Sequence, residues 1–505
     1  MSPTIQARWA LIATAGQALL EASRVAIDLK TPGLDGAGLL QAYTGGDTPW
    51  CLLDTVHRHL ERFANDFEFE FDFAAEGTHE RLQALVNQAR RRVVAVQGDL
   101  ASAFVHAYRD AGFHLPGVRR QRDVFRLHVQ PALDAGKTAY LLVDALRYEM
   151  ARELVEGLDV RFIATLRPAL ATPPTVTEVG MAALLPGADG ELTLAATSTN
   201  TLGLTIAGQP LRLREARVDY VAGLLTEETC VLKLDELINL KPSVRTKIKR
   251  SHLTIVTSQE IDEAGERGNA VAARSAMDSA LRLLRRVVRT LADLGVQTIV
   301  IGADHGYLFG EALESGDKID QPGGETLKLN RRVWVGAGGA ANPAYLRARL
   351  AEFGIGGGLE LATPWTLACF KVAGGGTAYF HGGLSPQEVI IPIATLQVTA
   401  TATKGGRGSS VKAVSWQWTL QPGSRKLSTR FASVEVRGLV SSPGLFGDAP
   451  PRVRVELRDA QGTVIAAPAT ATYGFEDATG DVQLQLRAES SPPEIVPVTV
   501  ALLLT

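Results

Sequence analysis

Asp144 directly follows the apolar run Ala139-Tyr140-Leu141-Leu142-Val143, and Asp304-His305-Gly306 follows Ile299-Val300-Ile301-Gly302-Ala303. Short apolar runs of this kind are strands buried on both faces, so two carboxylates and an imidazole fall at strand ends. Such a set can hold a divalent cation, although a carboxylate at a strand end can also cap the helix that follows. Thr177 falls at the start of a short helix within Pro173-Pro174-Thr175-Val176-Thr177-Glu178-Val179-Gly180-Met181. Its hydroxyl either caps that helix or lies where free N–H groups and the helix dipole favour a phosphate. A threonine hydroxyl serves as a nucleophile at neutral pH only when a metal lowers its pKa.

Two further segments carry potential ligands. Asp262 and Glu266, after the strand ending near Thr257, are four residues apart and share a face if they lie on one helical turn; a solvated acidic loop is the alternative. His381 sits in the glycine-flanked turn His381-Gly382-Gly383-Leu384-Ser385-Pro386-Gln387-Glu388, ahead of the apolar run Val389-Ile390-Ile391-Pro392-Ile393. Asp144, Asp262, Glu266 and Asp304 together would bring four negative charges into one cleft, which cannot all stay ionised without compensation. Two divalent cations would neutralise them. Arg147 and Tyr148, just beyond Asp144, are candidates for steadying phosphate oxygens, with packing roles as the alternative.

The elements that must position these residues alternate between strand and helix. Strands at 139–143, 253–257 and 298–302, joined through helices at 147–157 and 270–294, predict an α/β sheet with mainly parallel strands. Ligands of such sheets bind beyond the carboxyl ends of the strands. Before the sheet, helical periodicity from Ala7 to Leu29 and from His79 to Ala111 predicts a helical N-terminal domain over residues 1–130. The alternating Phe67-Glu68-Phe69-Glu70-Phe71-Asp72-Phe73 reads as a short amphipathic strand. The α/β domain is expected over 131–400, with 187–250 as an insertion or cap. Gly405-Gly406-Arg407-Gly408-Ser409-Ser410 reads as a linker, and the short alternating segments beyond it predict a β-sandwich over 405–505.

At 505 residues, 46% apolar and 21% charged, the chain has globular composition, and its net charge of -2 gives no overall field toward nucleic acid or lipid. Cys51, Cys230 and Cys369 are too scattered for a thiolate metal site, and the cytoplasm is the expected compartment. No membrane span or secretion signal is expected. The one dense basic run, Lys241 to Arg250, precedes the strand that leads to Asp262, and is either a guide for a polyanion or a solvated loop.

Four motifs in register make the pattern specific: Val143-Asp144-Ala145-Leu146-Arg147-Tyr148-Glu149, the segment Pro174 to Pro186, Gly302-Ala303-Asp304-His305-Gly306, and His381 to Glu388. Over about residues 139–397 the chain resembles the PglZ domain of bacterial BREX antiphage systems, a branch of the alkaline phosphatase superfamily. The resemblance implies an alkaline-phosphatase-like central sheet with helices on both faces. It implies Asp144, Asp304 and His305 at one metal, Thr177 as the nucleophile bridging the metals, and Asp262, residue 266 and His381 at the other metal. The superfamily pattern commonly has histidine four residues after the aspartate, where this chain has Glu266. Zinc suits the site of Asp304 and His305, whereas the oxygen-rich second set admits manganese or magnesium. The implied function is a metal-dependent phosphohydrolase, either a phosphodiesterase (nuclease) or a phosphatase. It would act on nucleotide or nucleic-acid phosphates with other BREX proteins as partners. The alternative is a catalytically weak or inactive scaffold of the same complex. Sulfatase chemistry is disfavoured because the nucleophile segment lacks the C-x-P-x-R pattern.

Overall fold

The apolar runs assemble, in a computed structural model of the protein, into one seven-stranded mixed sheet. Residues 3–399 are described except 71–77, 225–228, 268–269, 311–312, 314 and 373–377; beyond 399 the described residues are the strands between 416 and 504. The sheet contains β1 (Arg119–Arg120), β2 (Thr138–Val143), β3 (Phe162–Leu170), β4 (Thr229–Lys233), β5 (Leu253–Ser258), β6 (Thr298–Ala303) and β7 (Ile390–Val398). Its order is β1-β3-β7-β6-β2-β5-β4. The run β6-β2-β5-β4 is parallel, and β7 is antiparallel to both β6 and β3. All six residues of β2 are buried, as expected of a strand covered on both faces. The segment 187–250 is not wholly an insertion, because β4 within it completes an edge of the sheet.

The N-terminal helices are α1 (Pro3–Asp28), α2 (Gly36–Thr44), α3 (Cys51–Glu70) and α4 (Thr78–Asp110). They belong to the same compact unit as the sheet, which extends to Thr401. By length and composition alone α1 could cross a bilayer, with a mean hydropathy of 1.2 over its most apolar window. Leu11, Ala15, Ala18, Ala22 and Val25 nevertheless form a buried stripe packed against α3 and α4. Phe67 and Phe69 do not lie in the expected strand. Residues 67–70 end α3, with Phe67 buried on the same stripe as Leu60 and Ala64, so the helical period outweighs the local alternation. Residues 71–73 lie outside the described residues.

Helices α5 (Tyr148–Glu156), α6 (Thr177–Ala183), α7 (Arg214–Leu224), α8 (Glu260–Arg267) and α9 (Ala270–Asp293) complete the surroundings of the site. α5 packs on β3 and β7, and α9 packs on α3 and α5. Residues 402–505 form a second compact unit whose strands make two antiparallel sheets of four and three strands. The linker expected at 405–410 lies outside the described residues.

A buried ion network joins the helical layer to the helices over the sheet. Arg58 of α3, 4% exposed, pairs with Asp278 of α9, with Glu153 of α5 at 2.5 Å and with Glu149 at 3.6 Å. Removing one partner of a buried pair leaves the others charged in a low-dielectric interior. Arg58→Ala is expected to lower the unfolding free energy by about 3 kcal/mol. Urea denaturation checks this, and a change within about 0.5 kcal/mol would place Arg58 among ordinary surface ion pairs.

Candidate metal centre

Strand direction gathers the polar residues. β2, β3, β5 and β6 run the same way and β7 runs against them, so four strand exits and the entry to β7 share one edge. Asp144 leaves β2, Thr175 and Thr177 follow β3, Asp262 follows β5, Asp304-His305 leave β6, and His381 precedes β7. Residues far apart in sequence converge for that topological reason. The basic run does not join them. Pro242–Arg250 is a helix with Val244 and Ile248 buried, and it feeds the N-terminal end of β5, at the opposite edge from the cleft.

Asp144, Asp304 and His305 are fully buried, and each offers a ligand atom within 4.8 Å of the others. Asp304 Oδ1 accepts from the backbone N–H groups of Ala145 at 2.9 Å and His305 at 2.8 Å. Ala145 lies in the left-handed region at φ 59°, a cost of roughly 1–2 kcal/mol that turns its amide onto Asp304. His305 Nδ1 faces the Gly306 carbonyl at 3.1 Å; a carbonyl only accepts, so Nδ1 carries the proton and Nε2 keeps a lone pair. That Nε2 lies 3.3 Å from Asp304 Oδ2 and 3.8 Å from Asp144 Oδ1, and both oxygens are buried without a hydrogen-bond partner. With both carboxyls ionised, three acceptors face one another, an arrangement that a divalent cation satisfies.

The second group is Asp262, His381 and again His305, with ligand atoms within 4.8 Å of one another. The two imidazoles stack with centroids 4.2 Å apart. His381 Nδ1 donates to the Thr175 carbonyl at 3.2 Å, which leaves its Nε2 free to ligate, and Asp262 Oδ1 accepts from the Tyr379 hydroxyl at 2.9 Å. Glu266 lies one turn after Asp262 on α8, so the two do share a helix. It is exposed and contributes no atom to either group, although its charge reaches Asp144. The turn carrying His381 is held by buried Glu388, which accepts from the Gly383 amide at 2.9 Å and the Ser385 hydroxyl at 2.7 Å and pairs with buried Arg332 at 2.9 Å.

Electrostatics follow from burial. Desolvation, then the Asp304 and Asp262 charges, push the Asp144 carboxyl well above the ordinary range, and burial pushes Asp304 up to about 7 against the pull of its two amide donors. His305 is lowered by burial and by the neighbouring His381. Thr177 opens α6 with its Oγ1 3.2 Å from His305 Nε2. α6 can come this close because Gly180 lacks a side chain: a Cβ there would lie 2.3 Å from the Asp304 carbonyl oxygen.

Arg147 and Tyr148 are engaged elsewhere. Arg147 is buried, 3.0 Å from Asp54 and 3.4 Å from Glu149, and stands over the Tyr307 ring; the Tyr148 hydroxyl donates to the Thr44 carbonyl at 3.4 Å. The cations that share a cavity with Thr177 and Asp144 are Arg214 and Arg217 of α7, which no motif pointed out. Burial lowers the Arg217 pKa, while the Asp304, Glu178 and Asp144 carboxylates favour its charged form. Lys328, also unforeseen, pairs with Glu178, and its charge acts on His305. A sequence signal for Arg214 and Arg217 did exist, since they share a helical face with Val218 and Val221.

Residues 124–396 match the family described as "BREX system PglZ alkaline phosphatase-like domain". The "Alkaline phosphatase-like protein BrxZ" of Escherichia coli O9:H4 (strain HS) is 29% identical over 313 residues, covering 57% of this chain and 34% of that protein. The "Alkaline phosphatase-like protein PglZ" of Bacillus cereus (strain H3081.97) is 24% identical over 289 residues, covering 55% and 33%. The chain thus spans about a third of the length of these relatives. Among solved structures, phosphonoacetate hydrolase from Sinorhizobium meliloti 1021 aligns at 12% identity and TM-score 0.32, over 51% of this chain and 89% of that one. Murine ectonucleotide pyrophosphatase/phosphodiesterase 5 aligns at 9% identity and TM-score 0.35, over 52% and 88%. With more than half of its length matched by the family, this chain belongs to the PglZ family of alkaline phosphatase-like BREX proteins.

Proposed function

We propose that the chain is a divalent-metal-dependent phosphohydrolase, a phosphodiesterase or phosphatase, that acts on nucleotide or nucleic-acid phosphates as a cytoplasmic component of a BREX defence system with other BREX proteins as partners. The observation that carries this reading is the meeting of three acceptor atoms, from Asp144, Asp304 and His305, beside the Thr177 hydroxyl. One cation, with zinc the best match, would be held by Asp144, Thr177, Asp304 and His305, and a second by Asp262 and His381, with Glu266 as the outlying donor. Cations there would supply the positive charge that lowers the Thr177 pKa and offsets charge building on the phosphoryl oxygens.

The chain's own groups do the rest. Thr177 Oγ1 gives up its proton to water and forms a bond to phosphorus as the ester oxygen opposite it departs and takes up a proton from water. Water then cleaves the phosphothreonine, restores the hydroxyl and releases the phosphate product. His305 is fixed by Gly306 in the tautomer whose lone pair faces Thr177, so hydroxyl and imidazole are oriented before substrate arrives. A second reading, a scaffold that binds metal without turnover, draws on one observation: Glu266, standing where the superfamily pattern has histidine, is exposed and outside both ligand groups.

Thr177→Ala is expected to lower turnover of bis(p-nitrophenyl) phosphate or p-nitrophenyl phosphate by about a thousandfold or more, with melting temperature and metal content retained. Full activity in that variant would remove Thr177 from the reaction, and no activity in the wild type across a zinc, manganese and magnesium series would favour the scaffold. Asp262→Asn is expected to empty the second site, whereas Glu266→Ala should weaken it less than about tenfold, because an exposed carboxylate outside the ligand group contributes charge more than coordination. Metal stoichiometry by elemental analysis separates the two. Equal losses in both variants would make Glu266 a ligand.

A further inference from the structure

Helix α1 buries one face and exposes another. Leu11, Ala15, Ala18, Ala22 and Val25 pack on α3 and α4, while Ile5, Trp9, Ile12, Leu20 and Ile27 face outward, with exposures from 37% at Ile12 to 73% at Leu20. Among the described residues these five are more than half of the nine exposed large apolar side chains. At about 100° per residue, positions 5, 9, 12, 16, 20, 23 and 27 fall within roughly 80° of the helix circumference and form a stripe about 33 Å long. Single exposed apolar side chains are ordinary on a protein surface, whereas a contiguous stripe marks a contact.

The stripe reads alike in both directions. A two-fold axis at Gly16 exchanges positions 5 and 27, 9 and 23, and 12 and 20 between two antiparallel copies of the helix. Ile5 then meets Ile27, Ile12 meets Leu20, and the large ring of Trp9 meets the small Ser23. At the centre Gly16 meets itself. Nothing inside the protomer requires glycine there, because a Cβ at Gly16 would have no neighbour within 4 Å, and glycine in a helix interior costs about 1 kcal/mol relative to alanine. A helix crossing supplies the reason, since two axes approach most closely where the residue at the contact is smallest.

We infer that α1 is a self-association surface through which two copies of this chain pack antiparallel, crossing at Gly16. The exposed parts of the five side chains amount to roughly 500 Å² per copy, so pairing removes about 1,000 Å² from water, the size at which a specific interface begins. An interface of that size gives a reversible dimer, with a dissociation constant on the order of 10 µM. A lipid surface fits the helix less well. Its charged residues are Arg8, Glu21, Arg24 and Asp28, which cancel, and Arg24 is already paired with Glu21 at 2.7 Å and Asp28 at 3.5 Å. Helices that lie on membranes carry an excess of Lys and Arg on the polar face.

Sedimentation velocity of the full chain from about 1 to 200 µM is expected to show monomer passing into dimer. Ile12→Glu and Leu20→Glu should each weaken association by at least about tenfold, with the melting temperature of dilute protein retained, because both side chains are exposed in the protomer. Gly16→Leu should weaken it as well, with a melting temperature equal to or above that of the wild type, since the added side chain has open space within the fold. Oxidative cross-linking reads the register: Gly16→Cys should link to its own copy, whereas Gln17→Cys, turned about 100° away, should not, and Cys51, Cys230 and Cys369 are buried. A chain that stays monomeric over this range, a dimer indifferent to Ile12→Glu and Gly16→Leu, or equal cross-linking at positions 16 and 17 would overturn the inference. Monomeric protein that floats with phosphatidylserine vesicles would overturn it in favour of a lipid surface.

Discussion

Asp144 and Asp304 at neighbouring strand ends and Asp262 on α8 are all buried, and carboxylates so placed repel one another through a low dielectric. The fold gives this charge only partial relief. Two backbone amides serve one oxygen of Asp304 and the Tyr379 hydroxyl serves one of Asp262, while Asp144 Oδ1 and Asp304 Oδ2 are buried with no donor. The imidazoles beside them present lone pairs. Most of what surrounds the cleft makes sense as a means of holding acceptors in mutual opposition until cations satisfy them.

That opposition needs rigid support. Carbonyls fix His305 and His381 through their Nδ1 protons, so in each ring Nε2 is the nitrogen that keeps a lone pair. Gln121 donates to the carbonyls of Ala303 at 2.9 Å and Asp304 at 2.6 Å and accepts from the Thr172 amide at 2.9 Å, linking the exit of β6 to the segment that leads to Thr177. Behind the sheet edge, Arg147 reaches from the residues just after Asp144 to Asp54 of α3, and Arg58 of α3 reaches back to Glu149, Glu153 and Asp278. The helical layer is thereby part of the scaffold of the centre, which explains why it shares one compact unit with the sheet.

Much of this was legible in the sequence, for a physical reason. Strands buried on both faces read as apolar runs, so polar residues at their ends stand out, and Asp144, Asp304 and His305 were visible in that way. Thr177 was visible because a proline-rich turn precedes a short helix. What stayed hidden depends on tertiary contacts. Arg147, a candidate either for phosphate oxygens or for packing, is engaged by Asp54, more than ninety residues earlier in the chain. The phenylalanines from 67 onward alternate like a strand, and only the continuing stripe of Leu60, Ala64 and Phe67 reveals the helix. The basic run before β5 is adjacent in sequence to the segment carrying Asp262, yet a strand separates them, which puts the run at the wrong edge. Arg214 and Arg217 belong to no motif; their shared face with Val218 and Val221 acquires meaning once α7 is placed over the cavity.

The central claim is that this cluster is a cation site, and the most direct test is the melting temperature of chelator-stripped protein between pH 6.5 and 8, with and without saturating zinc or manganese. Asp144 and Asp304 have folded-state pKa values raised above an unfolded value of about 3.9, so the metal-free folded state binds more protons than the unfolded chain, and its stability falls as pH rises through about 7. His305, lowered in the folded state, works in the other direction, but only below its unfolded value of about 6.5. Stripped protein should therefore melt lower at pH 8 than at pH 6.5, and bound cation should raise the melting temperature by several degrees and remove most of that slope. A stripped protein that melts independently of pH and does not respond to either cation would contradict the account.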